Sequence, residues 1–234
     1  MSKPGTVYLI PSLLDDNASE IFPAYIIEAI KKCKTFFVEN ERTSRRFLKK
    51  IFPSIIIDDY EWINIHKTEN EAISVFRNKL KMGESLGIIS EAGCPGIADP
   101  GQKLIAAAQD MNASVKPLVG PSSILLALMA SGLNGQQFRF LGYLPIENSK
   151  RISSIREMET ESKKRNTTQI FIETPYRNNQ LLESLLAICS PSTKLCIASN
   201  LTSTKESVKT KSIAGWKKNK PDLHKQPVVF CLLA

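Results

Sequence analysis

Ser90-Glu91-Ala92-Gly93-Cys94-Pro95-Gly96-Ile97-Ala98-Asp99-Pro100-Gly101 is the stretch on which the reading of this 234-residue chain turns. The run that leads into it, residues 86–90, is apolar almost throughout, as suits a strand whose sheet is covered on both faces. The run that leaves it, residues 99–111, has helical character. Asp99 is a good N-cap type and Pro100 fits the first helical position. A loop between a buried strand and a helix lies beyond the carboxyl end of that strand, where open α/β sheets bind their ligands. Three glycines and two prolines make this loop stiff and free of side-chain bulk, so a ligand can reach main-chain N–H and C=O groups. A structural connection that needs positive φ is the plainer alternative, though a mere turn does not require so many special residues.

Outward from that loop, β-branched runs alternate with helix-like stretches, the pattern of an α/β fold with a largely parallel sheet. Residues 6–10, 35–39, 54–57, 86–90 and 114–119 read as strands, and residues 21–33, 41–51, 69–82 and 99–111 as helices. Gly120-Pro121-Ser122-Ser123 opens an apolar helix over residues 121–131, which Gly132 can terminate. The lobe boundary is therefore placed at Gly120, giving an N-terminal α/β lobe of residues 1–119 and a C-terminal α/β lobe of residues 120–234. In the second lobe, residues 137–142, 167–173, 194–199 and 227–233 read as strands, and residues 149–164 and 177–188 as helices.

Bulk properties narrow the function classes. The chain exceeds the usual single-domain size of roughly 100–150 residues, which accommodates two lobes. It is 42% hydrophobic and 23% charged, ordinary for a protein with a real core. No apolar run approaches the ~20 residues of a membrane span. Met1-Ser2-Lys3-Pro4-Gly5 lacks the layout of a signal peptide, so a cytoplasmic location is expected. The cysteines, Cys33, Cys94, Cys189, Cys196 and Cys231, are scattered without a C-x-x-C pair, and His66 and His224 stand far apart and are assigned no role. This argues against zinc and against a disulfide framework. A formal net charge of +8 is concentrated in two places. Residues 31–50 hold Lys31, Lys32, Lys34, Arg42, Arg45, Arg46, Lys49 and Lys50 against Glu39 and Glu41, and residues 194–226 carry eight lysines against Glu206 and Asp222. Such clustering suits a polyanion such as RNA. Solubilising charge explains it equally well, since aromatic residues for base stacking are not interleaved.

Two nucleotide-binding signatures are absent. Ile10-Pro11-Ser12-Leu13-Leu14-Asp15, not G-x-G-x-x-G, follows the first strand, and no G-x-x-x-x-G-K-[ST] occurs. A cofactor without phosphates fits this absence.

Five segments taken together resemble the tetrapyrrole (corrin/porphyrin) methylase superfamily: Glu39-Asn40-Glu41-Arg42-Thr43, Ser90 to Gly101, Val119-Gly120-Pro121-Ser122-Ser123, Gly142-Tyr143-Leu144-Pro145 and Phe171-Ile172-Glu173-Thr174-Pro175-Tyr176-Arg177. Within it, the chain is closest to the small-subunit ribosomal RNA (cytidine-2′-O-)-methyltransferase I branch. It departs from that branch at Pro11-Ser12-Leu13-Leu14-Asp15, where P-x-G-N-L is usual, and at Glu39-Asn40-Glu41-Arg42, where E-D-T-R is usual. It departs again at Ile146-Glu147-Asn148, which replaces a basic segment. The resemblance implies a two-lobed fold, the N-terminal lobe with a largely parallel sheet and the C-terminal lobe with a mixed one. It also implies S-adenosylmethionine as cofactor, no metal, a homodimer, and ribosomal RNA or the small ribosomal subunit as partner. Carried over residue by residue, it implies a cofactor shell of Pro11, Gly93, Cys94, Ile97, Ser122, Ser123, Thr174, Pro175 and Leu201.

Methyl transfer to a ribose hydroxyl needs a group to take the proton and cations to hold the RNA. Glu91 and Glu173 are the candidates for the proton, and Arg42 and Arg177 for clamping phosphate. Each has a plainer role beside it. Asp99 suits helix capping better than base chemistry, Arg177 can pair with Glu173, and Arg42 can be one more solvated charge. Cys94, between Gly93 and Pro95, invites a nucleophile reading, but no His stands near it in sequence. Rival functions are a methyltransferase of a small molecule such as a tetrapyrrole, a non-catalytic RNA-binding or regulatory protein of the same fold, and, more distantly, a hydrolase using Cys94.

Overall fold

Leu86-Gly87-Ile88-Ile89 forms β4 (Leu86–Ile89), in which every residue is buried. Apolar side chains pointing both ways from one strand require cover on both faces. In the computed structural model, which describes residues 4–65 and 69–234, that cover comes from neighbours within the first of two compact units, Met1–Ser122 and Ser123–Ala234. The lobe boundary expected from sequence stands three residues earlier. His66 lies outside the described residues.

β1 (Thr6–Ile10) and β2 (Thr35–Val38) flank β4, and β3 (Glu61–Asn64) and β5 (Ser114–Pro117) form the edges, in the order β3-β2-β4-β1-β5. All four pairings are parallel. Helices α1 (Tyr25–Lys32) and α2 (Glu41–Ile51) bring Ile30, Phe47 and Leu48 onto the face that carries Tyr8, Ile10 and Phe36. Helices α3 (Glu69–Lys81) and α4 (Gln102–Asp110) bring Phe76, Leu80 and Leu104 onto the face of Val7, Phe37 and Ile88. Gly87 is needed for tightness rather than freedom: a Cβ there would lie 2.4 Å from the Phe36 ring. Because α1 leaves β1 on one face and α4 leaves the adjacent β4 on the other, the connections diverge and open a crevice at the carboxyl end of the sheet.

Two expectations are corrected here. The third strand is not residues 54–57 but Glu61–Asn64. Ile55 is buried and Ile56 is 62% exposed, while Ile57 enters a single 3-10 turn, Ile57–Asp59. The isoleucine run thus closes the end of α2, where the Lys49 ammonium donates to the Ile55 carbonyl at 2.5 Å. The partner that fits β2 is the amphipathic segment whose Trp62 packs against Phe36, ring centroids 5.1 Å apart. A β-branched run alone cannot tell a strand from a buried turn. The second correction is that α4 begins at Gln102, with Gly101 rather than Asp99 at its N-cap. The Asp99 Oδ1 atom instead accepts from the Gly96 and Gly101 amides, at 3.3 and 2.6 Å, and so ties the loop to itself.

The second unit opens with α5 (Ser123–Ser131), followed by Gly132 at φ +67° as the C-terminal cap. Its sheet runs β6 (Phe138–Tyr143), β7 (Thr168–Ile172), β10 (Val228–Leu233), β8 (Lys194–Ser199) and β9 (Ser207–Ser212). Only β6 and β7 pair in parallel, so the sheet is mixed. Helices α6 (Asn148–Arg165), α7 (Asn178–Ile188) and α8 (Ile213–Lys218) share one core with Phe171, Leu195 and Phe230. β9 and α8 lie in the lysine-rich stretch, where the sequence reading names no element between residues 199 and 227. The alternation Val208-Lys209-Thr210-Lys211 and the Ser212 hydroxyl, which accepts from the Gly215 amide at 3.1 Å, are the local signals for them. Among the described residues no helix is long and apolar enough to cross a membrane.

Candidate active site

The crevice at the carboxyl end of the parallel sheet holds a cavity of about 500 Å³, formed within the first unit. Its walls come from the turn after β1, the first turns of α2 and the turn after β4, including Ser12, Leu14, Thr43, Phe47, Ser90 and Glu91. Two of these turns are stitched together. The Ser12 amide donates to the Gly93 carbonyl at 2.8 Å and the Gly93 amide to the Ser12 carbonyl at 3.2 Å. The Ser12 hydroxyl donates to the Ser90 carbonyl at 2.6 Å, and the Ser90 hydroxyl to the Gly93 carbonyl at 2.8 Å. Gly93 meets this double bridge at φ +74°, a region that costs an L side chain steric strain. Its own polar groups are thereby used in holding the loop, so ligand contacts must come from other atoms of the turn.

Cys94 follows, with its sulfur 3.4 Å from the Pro121 carbonyl and 4.0 Å from that of Gly120. Burial pushes its thiol pKa up, which keeps it protonated and opposes a nucleophilic role. Pro11 and Gly120 approach so closely that a Cβ on Gly120 would lie 2.2 Å from the Pro11 ring. Pro11, Gly93, Cys94 and the Gly120-Pro121 carbonyls are thus gathered at one end of the sheet. Ile97 is 55% exposed on the same loop.

Glu91 is exposed at the cavity wall and accepts a short hydrogen bond from the Thr43 hydroxyl, while its amide donates to Glu39 Oε1 at 3.3 Å. Thr43 and Arg42 sit in the first turn of α2, whose N-cap Asn40 accepts from both of their amides, at 3.4 and 3.0 Å. Arg42 is exposed. Arg46 and Lys50 recur at four-residue spacing from it and line the cavity, as does Asp16, which pairs with Arg46 at 3.2 Å. Arg46 and Lys50 are functional candidates missing from the sequence-based set, although the four-residue spacing on a predicted helix was there to read.

The remaining candidates belong to the second unit. Glu173 has a side chain only 3% exposed, and its Oε1 accepts from Arg177 Nη2 at 2.6 Å, Arg177 Nε at 3.2 Å and the Thr174 amide at 2.6 Å. Arg177 also bonds the Thr174 hydroxyl at 3.3 Å, so the pair braces the turn that opens α7. Pro175 accepts from the Lys225 amide at 3.0 Å, and Gln226 links the Asn178 and Asn200 side chains. Thr174, Pro175 and the buried Leu201 therefore belong to one cluster of loops, in which Gln226 is a linking residue that sequence alone does not reveal. Ser123 is the first residue of α5.

The donor set suits a phosphate-free cationic cofactor. The loop of residues 90–101 contains no lysine or arginine to repel a sulfonium. Asp99 Oδ2 is buried without a hydrogen-bond partner, an orphaned carboxylate oxygen that a positive or proton-donating ligand group would satisfy. Among the described residues no group of three or more His, Cys, Asp or Glu could hold a metal ion.

Comparison with known proteins agrees with this architecture. The chain is 33% identical over 146 residues to "Ribosomal RNA small subunit methyltransferase I" of Vibrio cholerae, which covers 62% of this chain and 49% of that protein. It is 29% identical to the protein of the same name from Synechocystis sp., over 85% of this chain and 67% of that one. The chain thus spans about half to two-thirds of the length of these relatives. A crystal structure of uroporphyrin-III C-methyl transferase from Thermus thermophilus, complexed with S-adenyl homocysteine, shares the fold at a TM-score of 0.55 and 15% identity, over 98% of this chain and 97% of that one. Residues 25–215 match the family description tetrapyrrole (corrin/porphyrin) methylases, and the chain belongs to that family.

Proposed function

We propose that the protein is an S-adenosylmethionine-dependent methyltransferase that methylates a ribose 2′-hydroxyl of small-subunit ribosomal RNA, acting in the cytoplasm as a homodimer. The observation that carries the reading is the likeness, over most of the chain, to proteins named ribosomal RNA small subunit methyltransferase I. The basic face of α2 beside the cavity supports it from the side of the structure.

S-adenosylmethionine, when bound, supplies an electrophilic methyl group on a positively charged sulfur. Within the first unit, Asp99 Oδ2 and the carbonyls of Gly120 and Pro121 suit the cationic end of the cofactor, and Pro11, Gly93, Cys94, Ile97 and Ser122 form its surroundings. Ser123, Thr174, Pro175 and Leu201, of the second unit, are the remaining residues that the family resemblance assigns to the cofactor. Glu91 takes the proton of the ribose hydroxyl, because it is the candidate carboxylate at the cavity wall. Glu173 is committed to Arg177, so both act as positioning residues for the turn at Thr174 and Pro175. Arg42, Arg46 and Lys50 hold RNA phosphates along one face of α2, with Arg46 exchanging Asp16 for phosphate. Leu14 and Phe47 exclude water beside them.

The test is incubation with methyl-labelled S-adenosylmethionine and unmodified small ribosomal subunits, followed by mapping of the labelled nucleotide. Label on a ribose 2′-oxygen is expected, and RNA left without label overturns the reading. Glu91→Ala should leave cofactor affinity by calorimetry unchanged while slowing single-turnover transfer by ~10²-fold. An unimpaired rate removes Glu91 from the chemistry.

A further inference from the structure

We propose that the second unit carries its own phosphate-binding pocket, between the edge strand β9 and the segment after α8, and that it takes the RNA backbone at a point separate from the crevice of the first unit. The proposal rests on the RNA reading above.

A cavity of about 160 Å³ is lined by Ser199, Ser207, Lys209, Lys211, Trp216 and Asn219, among others. Ser207, Lys209 and Lys211 alternate along β9 and so share one face, opposite Ser199, Ile197 and Leu195 of β8. Leu195 and Ile197 stand opposite Lys211 and Lys209 and belong with Trp216 to the core, so the Lys211 stem lies beside apolar surface, while the exposed Lys209 lines the cavity as well. Lys211 Nζ lies 4.6 Å from the ring centroid of Trp216. The indole is itself fixed, because Trp216 is buried and its Nε1 donates to the Leu195 carbonyl at 2.8 Å. The Lys211 charge is therefore held in one place instead of sweeping through solvent.

No carboxylate lines the cavity. The acidic groups nearby in the chain have other partners. Glu206 accepts from the Thr202 amide at 2.7 Å, Asp222 accepts from Asn179 and from the His224 amide at 2.7 and 3.0 Å, and Glu183 pairs with Lys220 at 2.6 Å. Two ammonium groups, two hydroxyls and an amide around an uncountered space are the chemistry of an oxyanion site. At about 160 Å³ the cavity has room for one phosphate group. Lysines on an edge strand also discourage strand-to-strand association. That role, however, requires neither a fixed ammonium over an indole nor a pocket free of carboxylates.

The test compares unaltered protein with Lys209→Gln/Lys211→Gln, and with Lys217→Gln/Lys218→Gln, which removes as much charge from exposed positions of α8. Binding of a single-stranded RNA oligonucleotide is measured across salt concentrations, with circular dichroism and melting temperature to establish folding. The pocket pair is expected to lose affinity about tenfold and to reduce the salt slope by about 1, and the α8 pair to change both less. At matched ionic strength, inorganic phosphate should weaken RNA binding to the unaltered protein more than to the pocket pair. Equal effects of the two pairs overturn the proposal in favour of diffuse charge. Phosphate binding that is lost in the pocket pair, with RNA affinity unchanged, overturns it in favour of a free anion. RNA bound equally by all three proteins overturns this pocket alone, whereas no RNA binding by the unaltered protein overturns the RNA reading together with it.

Discussion

At the scale of single residues, the candidate site depends on close main-chain approach more than on reactive side chains. Gly93 and Gly120 illustrate two versions of that need. Gly93 is required for its backbone conformation, and Gly120 because Pro11 occupies the space of a Cβ. Neither Pro11 nor the Gly120 backbone has room to yield, so Gly120→Ala should destabilise the first unit by about 1–3 kcal/mol through overpacking. Urea unfolding followed by Trp62 fluorescence in a Trp216→Phe background measures this, since the chain has two tryptophans, one in each unit. An unshifted midpoint would show that the Pro11–Gly120 contact can relax at no cost. Asp99 teaches the opposite lesson: its residue type and the proline after it point to a helix cap, yet its carboxylate turns inward to two loop amides. Both roles satisfy amide donors, and only the path of the loop decides which amides come within reach.

At the scale of elements, α1 ends in a titratable group with a calculable consequence. Burial raises the Cys33 thiol from 9.0 to about 12, and its sulfur faces the Ala29 carbonyl at 3.4 Å. Below pH 9 the thiol is protonated in folded and unfolded chains alike and has no effect on the pH dependence of stability. Between pH 9 and 12 the unfolded chain releases its proton while the folded one retains it, so stability falls as pH rises. Cys33→Ala should therefore flatten the alkaline decline in the unfolding midpoint of the first unit between pH 8.5 and 10. A decline as steep as in the unaltered protein would show that the thiol ionises freely in the fold. The same scale explains which strands were legible. β4, and β8 between its polar ends, are apolar and could be read directly, whereas β3 and β9 are largely polar and defined by the neighbour they pair with.

At the scale of the whole molecule, each unit carries its own core. The buried cluster of the second unit runs from Leu144 to Leu232, and the two clusters of the first run from Val7 to Ala113 and from Tyr8 to Ile89. A segment that buries its own apolar face against its own sheet meets the physical condition for independent folding. A fragment of residues 123–234 should accordingly show a cooperative thermal transition by circular dichroism, with Trp216 fluorescence reporting a buried indole. A gradual, featureless melt would show that the second core needs the first unit to form. Such a fragment would also show whether the β9 lysine pocket binds RNA without α2.

The amino-acid sequence by itself determined the α/β alternation, the glycine- and proline-rich loop at residues 90–101 and the two basic clusters, because each is written in local composition: β-branched runs, glycine and proline punctuation, charge density. It also held the motifs of the methylase family in order along the chain. The tertiary structure alone decided that Gly93 is bridged to Ser12 and that Arg46 and Lys50 face the same cavity as Glu91. Those facts depend on which segments the sheet order makes neighbours, and strand order is a property of long-range packing that no window of sequence contains.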